Sequence, residues 1–198
     1  MYILMFIIGL IIGSILNFII EKISYSITKN KRKTAKVVIP IICGLAFEVL
    51  FLRFGFTIIL AKAIVMTVIL IIISFIDLHH RIIPNFMVVI ALVIGIIFSF
   101  IAKTSLIDTI LGMIAGGGIL FLLALVPNAM GGGDIKLMFA IGAFLGLNRT
   151  LWALLLAFII SSIISIVLIL LKIKGTKDYI PFGPFLSLGS FISLLIFI

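Results

Sequence analysis

The sequence predicts an all-α polytopic membrane protein of about eight transmembrane helices. Of its 198 residues, 65% are hydrophobic and only 11% are charged, where a soluble domain carries roughly 25% charged residues. So little polar surface cannot cover a globule in water. Apolar runs of spanning length also recur along the whole chain with short charged stretches between them, and burial in lipid accounts for that pattern. The charges between the runs, finally, fall unevenly on alternate sides.

The runs cover residues 2–20, 37–53, 56–76, 85–102, 105–127, 136–148, 150–171 and 180–198. The first has no basic stretch before it and no small-residue cleavage site after it, which predicts a retained span rather than a removed signal. The sixth is short for a hydrocarbon core that needs ~20 helical residues, so its start is expected to extend into the preceding loop. No soluble domain, linker, low-complexity tract or internal repeat is visible. Residues 1–198 read as a single transmembrane domain with a short basic loop at about 21–36.

Loop charge then gives an orientation. The loops around 21–36, 77–84, 128–136 and 172–179 share one side and carry Lys22, Lys29, Lys31, Arg32, Lys33, Lys36, Arg81, Lys136, Lys172, Lys174 and Lys177. The other side holds Arg53, Lys103 and Arg149, with Lys62 able to snorkel toward it. The positive-inside rule makes the first set cytoplasmic. The net charge of +9 therefore reads as topology and contact with anionic lipid. Nucleic acid is excluded for want of a groove, aromatic interleaving or a soluble domain. Cys43 is the single cysteine, so no internal disulfide forms. No Cys or His cluster offers a metal site, and no cofactor is predicted.

Six acids stand in this apolar chain, and an ionisable group at membrane depth marks a functional site by default. Asp77 ends the third run, in Ser74-Phe75-Ile76-Asp77-Leu78-His79-His80-Arg81-Ile82-Ile83-Pro84-Asn85; Asp134 follows Gly131-Gly132-Gly133. The loop-charge topology, built without reference to them, puts both on the cytoplasmic face. Two carboxylates brought close resist joint ionisation and can share a proton. One then acts as base toward a water while the other protonates or hydrogen-bonds a substrate carbonyl. Peptide hydrolysis needs that combination, and no Ser–His or Cys–His alternative is apparent. The glycines suit a site where an extended substrate backbone meets an irregular one, through positive φ and close approach. A flexible transporter loop would read the same way.

These residues resemble the prepilin peptidase family, the type IV leader peptidases among the GxGD intramembrane aspartyl proteases. Gly131-Gly132-Gly133-Asp134 fits GxGD, and Ile135-Lys136-Leu137 through Gly146 resembles the helix that follows it. Asp77–Asn85 is similar to the family's first aspartate segment; Gly13-Ser14-Ile15-Leu16-Asn17 and Ile180-Pro181-Phe182-Gly183-Pro184-Phe185 agree as well. The resemblance implies Asp77 and Asp134 as catalytic residues, with Gly131, Gly133, Lys136, Pro181, Gly183 and Pro184 binding substrate or supporting the motifs. It implies an integral protein of the cytoplasmic (inner) membrane whose site faces the cytoplasm. Its substrates would be prepilins or pseudopilins of type IV pili, type II secretion or competence systems, cut after a glycine between a basic leader and a hydrophobic helix. Many members carry a long loop with two Cys-x-x-Cys pairs, associated with N-methylation from S-adenosylmethionine. Residues 21–36 hold no cysteine, so a four-thiolate zinc site cannot form there. A peptidase with reduced or no methyltransferase activity is the expectation. A proton-coupled transporter using the same acids is the alternative, and oligomeric state is not legible.

The remaining polar residues have structural readings. Glu48 and Lys62 are a candidate buried pair, while Asp108 belongs to the opposite side of the membrane from the two aspartates. Glu21 and Asp178 read as solvated loop charges, and His79 and His80 as interfacial side chains beside Asp77. Arg81 and Lys136 are placed near carboxylates or lipid phosphates. Pro84 starts the fourth span; Pro181 and Pro184 disturb the last. Trp152 reads as an interfacial anchor, and Gly116, Gly117 and Gly118 as a close-packing surface.

Overall fold

The computed structural model describes residues 1–28, 36–127, 130–175, 178 and 180–196. Among them the chain forms eight helices: α1 (Tyr2–Thr28), α2 (Val38–Phe54), α3 (Ile58–His80), α4 (Asn85–Ile101), α5 (Leu106–Ala124), α6 (Gly132–Leu145), α7 (Leu147–Leu170) and α8 (Gly183–Ile196). Each predicted apolar run became one helix, because a backbone in lipid must satisfy its own hydrogen bonds. The helices α1, α3, α5 and α7 are long and apolar enough to cross a membrane. The other four are shorter, and α6 and α8 have 14 residues each. At 1.5 Å per residue, such a helix spans roughly 21 Å of a ~30 Å hydrocarbon core.

The outside of the bundle is apolar: Ile3, Phe18, Leu52, Ile107, Ile163 and Leu170 are among its exposed large side chains. The fold is that of an all-α polytopic membrane protein. Apolar side chains gain little by leaving lipid for one another, so the helices are held by close packing and hydrogen bonds. A Cβ on Gly9 would lie 2.6 Å from Gly44 Cα, where α1 meets α2. A Cβ on Gly112 would lie 2.6 Å from Gly142 O, where α5 meets α6. Gly116 and Gly117 do serve this second contact, against Met138 O and Phe139, whereas Gly118 faces open space. Between helices, Ser99 donates to Ala143 O at 2.8 Å and Ser193 to Arg149 O at 2.6 Å.

Several boundaries differ from those the sequence predicts. The first helix runs on to Thr28, so the first half of the predicted loop at 21–36 is helical. Ile20 and Ser24 are both buried, and this i, i+4 spacing carries the inward face past the Glu21-Lys22 charges. Residues 29–35, with Lys29, Lys31, Arg32 and Lys33, lie outside the described residues, as does Lys177. The sixth helix starts at Gly132, inside the triple glycine, as its short apolar run required. Pro184 sits in the first turn of α8, where a missing N–H costs nothing. The prolines therefore mark a helix start and not a kink.

Candidate active site

Asp77 closes the inward stripe of α3. Met66, Leu70 and Ile73 precede it at helical spacing and are buried with it, so the periodicity that makes the core also carries a carboxylate to its end. Asp134 opens the corresponding stripe of α6, with Leu137, Met138, Ile141 and Leu145 following it inward. Asp77 and Asp134 are 3% and 4% exposed. The two carboxylates interact electrostatically. The C-terminal end of α3 and the N-terminal end of α6 thus bring both predicted aspartates to one site.

Two helix starts meet these acids. Gly183, the first residue of α8, donates its backbone N–H to Asp77 Oδ2 at 3.0 Å. Asp134 occupies the third position of α6, and the N–H of Gly131, the residue capping that helix, interacts with its carboxylate. That is one half of a capping box. A helix N-terminus favours negative charge beside it, while burial and the like-charged neighbour oppose it.

The glycines act through closeness. A Cβ on Gly183 would come within 2.7 Å of Asp77 Oδ2, and one on Gly133 within 3.0 Å of the Ile83 Cβ. Gly131 has φ −78° and extended backbone, and Gly132 and Gly133 are helical, so the positive φ anticipated for this loop is not used. The left-handed position near the site is Arg81, at φ 55°, whose N–H caps the Asp77 carbonyl at 2.7 Å. Gly132 meets nothing within 4 Å, in keeping with its place at the variable position of the motif.

The other predicted residues form a frame. Lys136 Nζ donates to Asn85 Oδ1 at 3.1 Å, tying the segment after Asp77 to the start of α6. Two residues beyond Asp134, it points away around the helix, because i and i+2 do not share a face. Pro181 and Pro184 are half-buried beside Gly183. His79 Nδ1 hydrogen-bonds Phe75 O at 2.7 Å, and His80 Nε2 bonds Ser24 Oγ. Ser24, Asn85 and Ile83 were not singled out from sequence; only their adjacency to the Asp77 segment and the first span pointed to them. Asn17 Oδ1 is buried with no partner among the described residues.

A groove of about 410 Å³ runs between α2, α3 and α8, with Ala46, Leu70, Ser74, Phe75, Leu78 and Pro184 in its walls; Asp77 and Asp134 are not among its lining residues. Glu48 and Lys62, the candidate pair, serve different neighbourhoods: the charged neighbours of Lys62 are Arg149 and Asp108. Asp108 lies at the far end of the bundle and accepts the Leu147 N–H at 3.0 Å. Among the described residues no group of His, Cys, Asp and Glu is arranged to hold a metal.

Residues 64–170 match the type IV leader peptidase family, a stretch that contains both aspartates. The chain is 34% identical over 140 residues to the prepilin leader peptidase/N-methyltransferase of Aeromonas hydrophila, covering 67% of this chain and 48% of that protein. It is 34% identical over 149 residues to the protein of that name from Legionella pneumophila, covering 72% and 52%. With the one from Bacillus subtilis it shares 30% identity over 152 residues, covering 73% and 59%. The chain spans about half the length of the curated relatives it matches. No solved structure matches it. A helical membrane bundle with two buried, interacting aspartates at one end, matched through that stretch by one family and its relatives, belongs to the type IV leader peptidase family.

Proposed function

We propose that this protein is an aspartyl endopeptidase that removes the leader from prepilin-like substrates, with Asp77 and Asp134 as its catalytic residues. The meeting of Asp77 and Asp134 under two helix N-termini carries this reading. The ionised member of the pair takes a proton from a water as its oxygen attacks the scissile carbonyl, and the protonated member gives its proton to the carbonyl oxygen. The tetrahedral diol then collapses: the C–N bond breaks, the amide nitrogen gains a proton, and a free carboxyl and amine result. No covalent intermediate and no metal are needed.

The surroundings support the same reading. The short α6 and α8 both start at the aspartates, so helix gives way to irregular backbone at that end of the bundle. The apolar groove between α2, α3 and α8, which reaches Leu78 and Pro184, suits the hydrophobic helix that follows a prepilin leader. Positive-inside charge puts this end in the cytoplasm, where basic leaders remain. Residues 1–198 then act as a single peptidase domain in the cytoplasmic membrane. Methylation of the new N-terminus is reduced or absent on this reading, because the loop at 21–36 holds no cysteine.

Incubating purified protein with a prepilin and weighing the product tests the proposal. Cleavage lost in Asp77→Asn and in Asp134→Asn, and kept in Glu48→Gln, is the expected result. Uncut prepilin across several pilins, with proton-coupled uptake that the same variants abolish, would replace the peptidase with a transporter.

A further inference from the structure

A polar cavity lies at the other end of the bundle, where α3, α5 and α7 begin. It has a volume of about 500 Å³, and Lys62, Thr104, Asp108, Asn148, Arg149 and Trp152 are in its walls. Lys62 stands one turn into α3, roughly 22 Å along the axis from Asp77 at 1.5 Å per residue. The cavity is therefore separate from the aspartates, and nothing in the proposed hydrolysis uses it.

Its charges are unbalanced. Lys62 is 5% exposed, and charged side chains in a membrane bundle ordinarily pair with a carboxylate or carbonyl. Yet Lys62 makes no hydrogen bond or ion pair with any described residue, and its charged neighbours are Arg149, which repels it, and Asp108. Asp108 is already engaged. Its Oδ1 accepts the Leu147 N–H at 3.0 Å, and its Oδ2 packs against Gly146, which at φ 74° turns the chain into α7. Among the described residues, two cations thus face a space with one carboxylate, which attracts both of them and is itself held by the turn.

We propose that this cavity is a binding site for a phosphate-bearing anion, either a lipid headgroup or free phosphate, held between Lys62 and Arg149. A guanidinium presents a planar fork to two phosphate oxygens and an ammonium adds a point charge from the side. Asn148 at the rim supplies a neutral amide donor. The opening lies where headgroups would lie, and Trp152, 43% exposed, stands in its wall as an interfacial ring does. The site is independent of the peptidase reading and would remain if that reading failed.

Trp152 is the only tryptophan of the chain, so its emission reports on this end of the bundle, against a background from lipid at its exposed face. The full chain is reconstituted in vesicles with brominated phosphatidylglycerol or, at equal mole fraction, brominated phosphatidylcholine, and inorganic phosphate is titrated into unbrominated vesicles. Phosphatidylglycerol enriched roughly fivefold at the ring, the weight of one basic contact with an anionic headgroup, and levelled in Lys62→Gln and Arg149→Gln, assigns a lipid headgroup. Equal quenching by both lipids, with a saturable response to phosphate lost in the same variants, assigns free phosphate. Arg149→Gln, at the half-exposed edge, carries the test if Lys62→Gln does not fold. The proposal is overturned if neither anion is preferred, or if the preference survives both substitutions.

Discussion

Replacing Gly183 with alanine tests whether the start of α8 positions Asp77. The added Cβ would lie 2.7 Å from Asp77 Oδ2, 3.2 Å from its Cγ and 3.3 Å from its Cβ. Gly183 does not use positive φ, so alanine brings no backbone strain and the perturbation is the methyl group alone. Either the carboxylate rotates away, losing a hydrogen bond to a charged group worth about 1.5–3 kcal/mol, or α8 shifts at an overpacking cost of about 1–3 kcal/mol. Tenfold in rate corresponds to about 1.4 kcal/mol, so kcat/KM for prepilin cleavage should fall on the order of 10- to 100-fold. The companion change is Gly132→Ala. Its methyl group meets nothing within 4 Å, and at this first helical position alanine gains only a fraction of its mid-helix advantage of roughly 0.5–1 kcal/mol. That variant should cleave as the wild type does and unfold slightly later. Wild-type cleavage by Gly183→Ala, or equal damage from both substitutions, would refute the reasoning.

Three further outcomes follow from the same structure. Gly112→Ala drives a methyl group onto Gly142 O and the backbone of Gly146, neither of which can move aside; reversible unfolding in mixed micelles should show a loss of about 3 kcal/mol, the upper end for overpacking. Ser99→Ala removes the bond to Ala143 O and should cost about 0.6 kcal/mol, at most about 1.7, in the same assay. Pilin processed with S-adenosylmethionine present should carry an unmethylated N-terminus by mass spectrometry, and stoichiometric methylation would overturn the reading of the short loop.

How much of this was legible in the sequence varies by element. Spans were plain, because lipid leaves long apolar runs no other use. The aspartates stood out because ionisable groups are costly among apolar spans; the stripes that carry Asp77 and Asp134 inward came from the assembled helices. Charged residues misled where tertiary packing overrode local pattern. Glu21 and Lys22 marked a loop, yet Ile20 and Ser24 keep α1 helical against its neighbours. The triple glycine suggested positive φ, whereas the fold needs closeness at Gly133 and, among the described residues, places positive φ at Gly55, Arg81, Lys103, Gly146 and Lys172. Gly183 belonged to a matched motif, but a hydrogen bond to a residue 106 positions away leaves no local trace. Lys62 was matched with Glu48 from hydropathy alone; depth and facing, which set its neighbours as Asp108 and Arg149, are properties of the assembled bundle.

The central claim is that Asp77 and Asp134 together cut a peptide bond. Its most direct test is the mass of a prepilin after incubation with the purified protein in bilayers, compared with Asp77→Asn, Asp134→Asn and Glu48→Gln. The account predicts leader loss with wild type and Glu48→Gln, and intact prepilin with either aspartate variant while each remains folded. Cleavage that persists in Asp77→Asn or Asp134→Asn would contradict it.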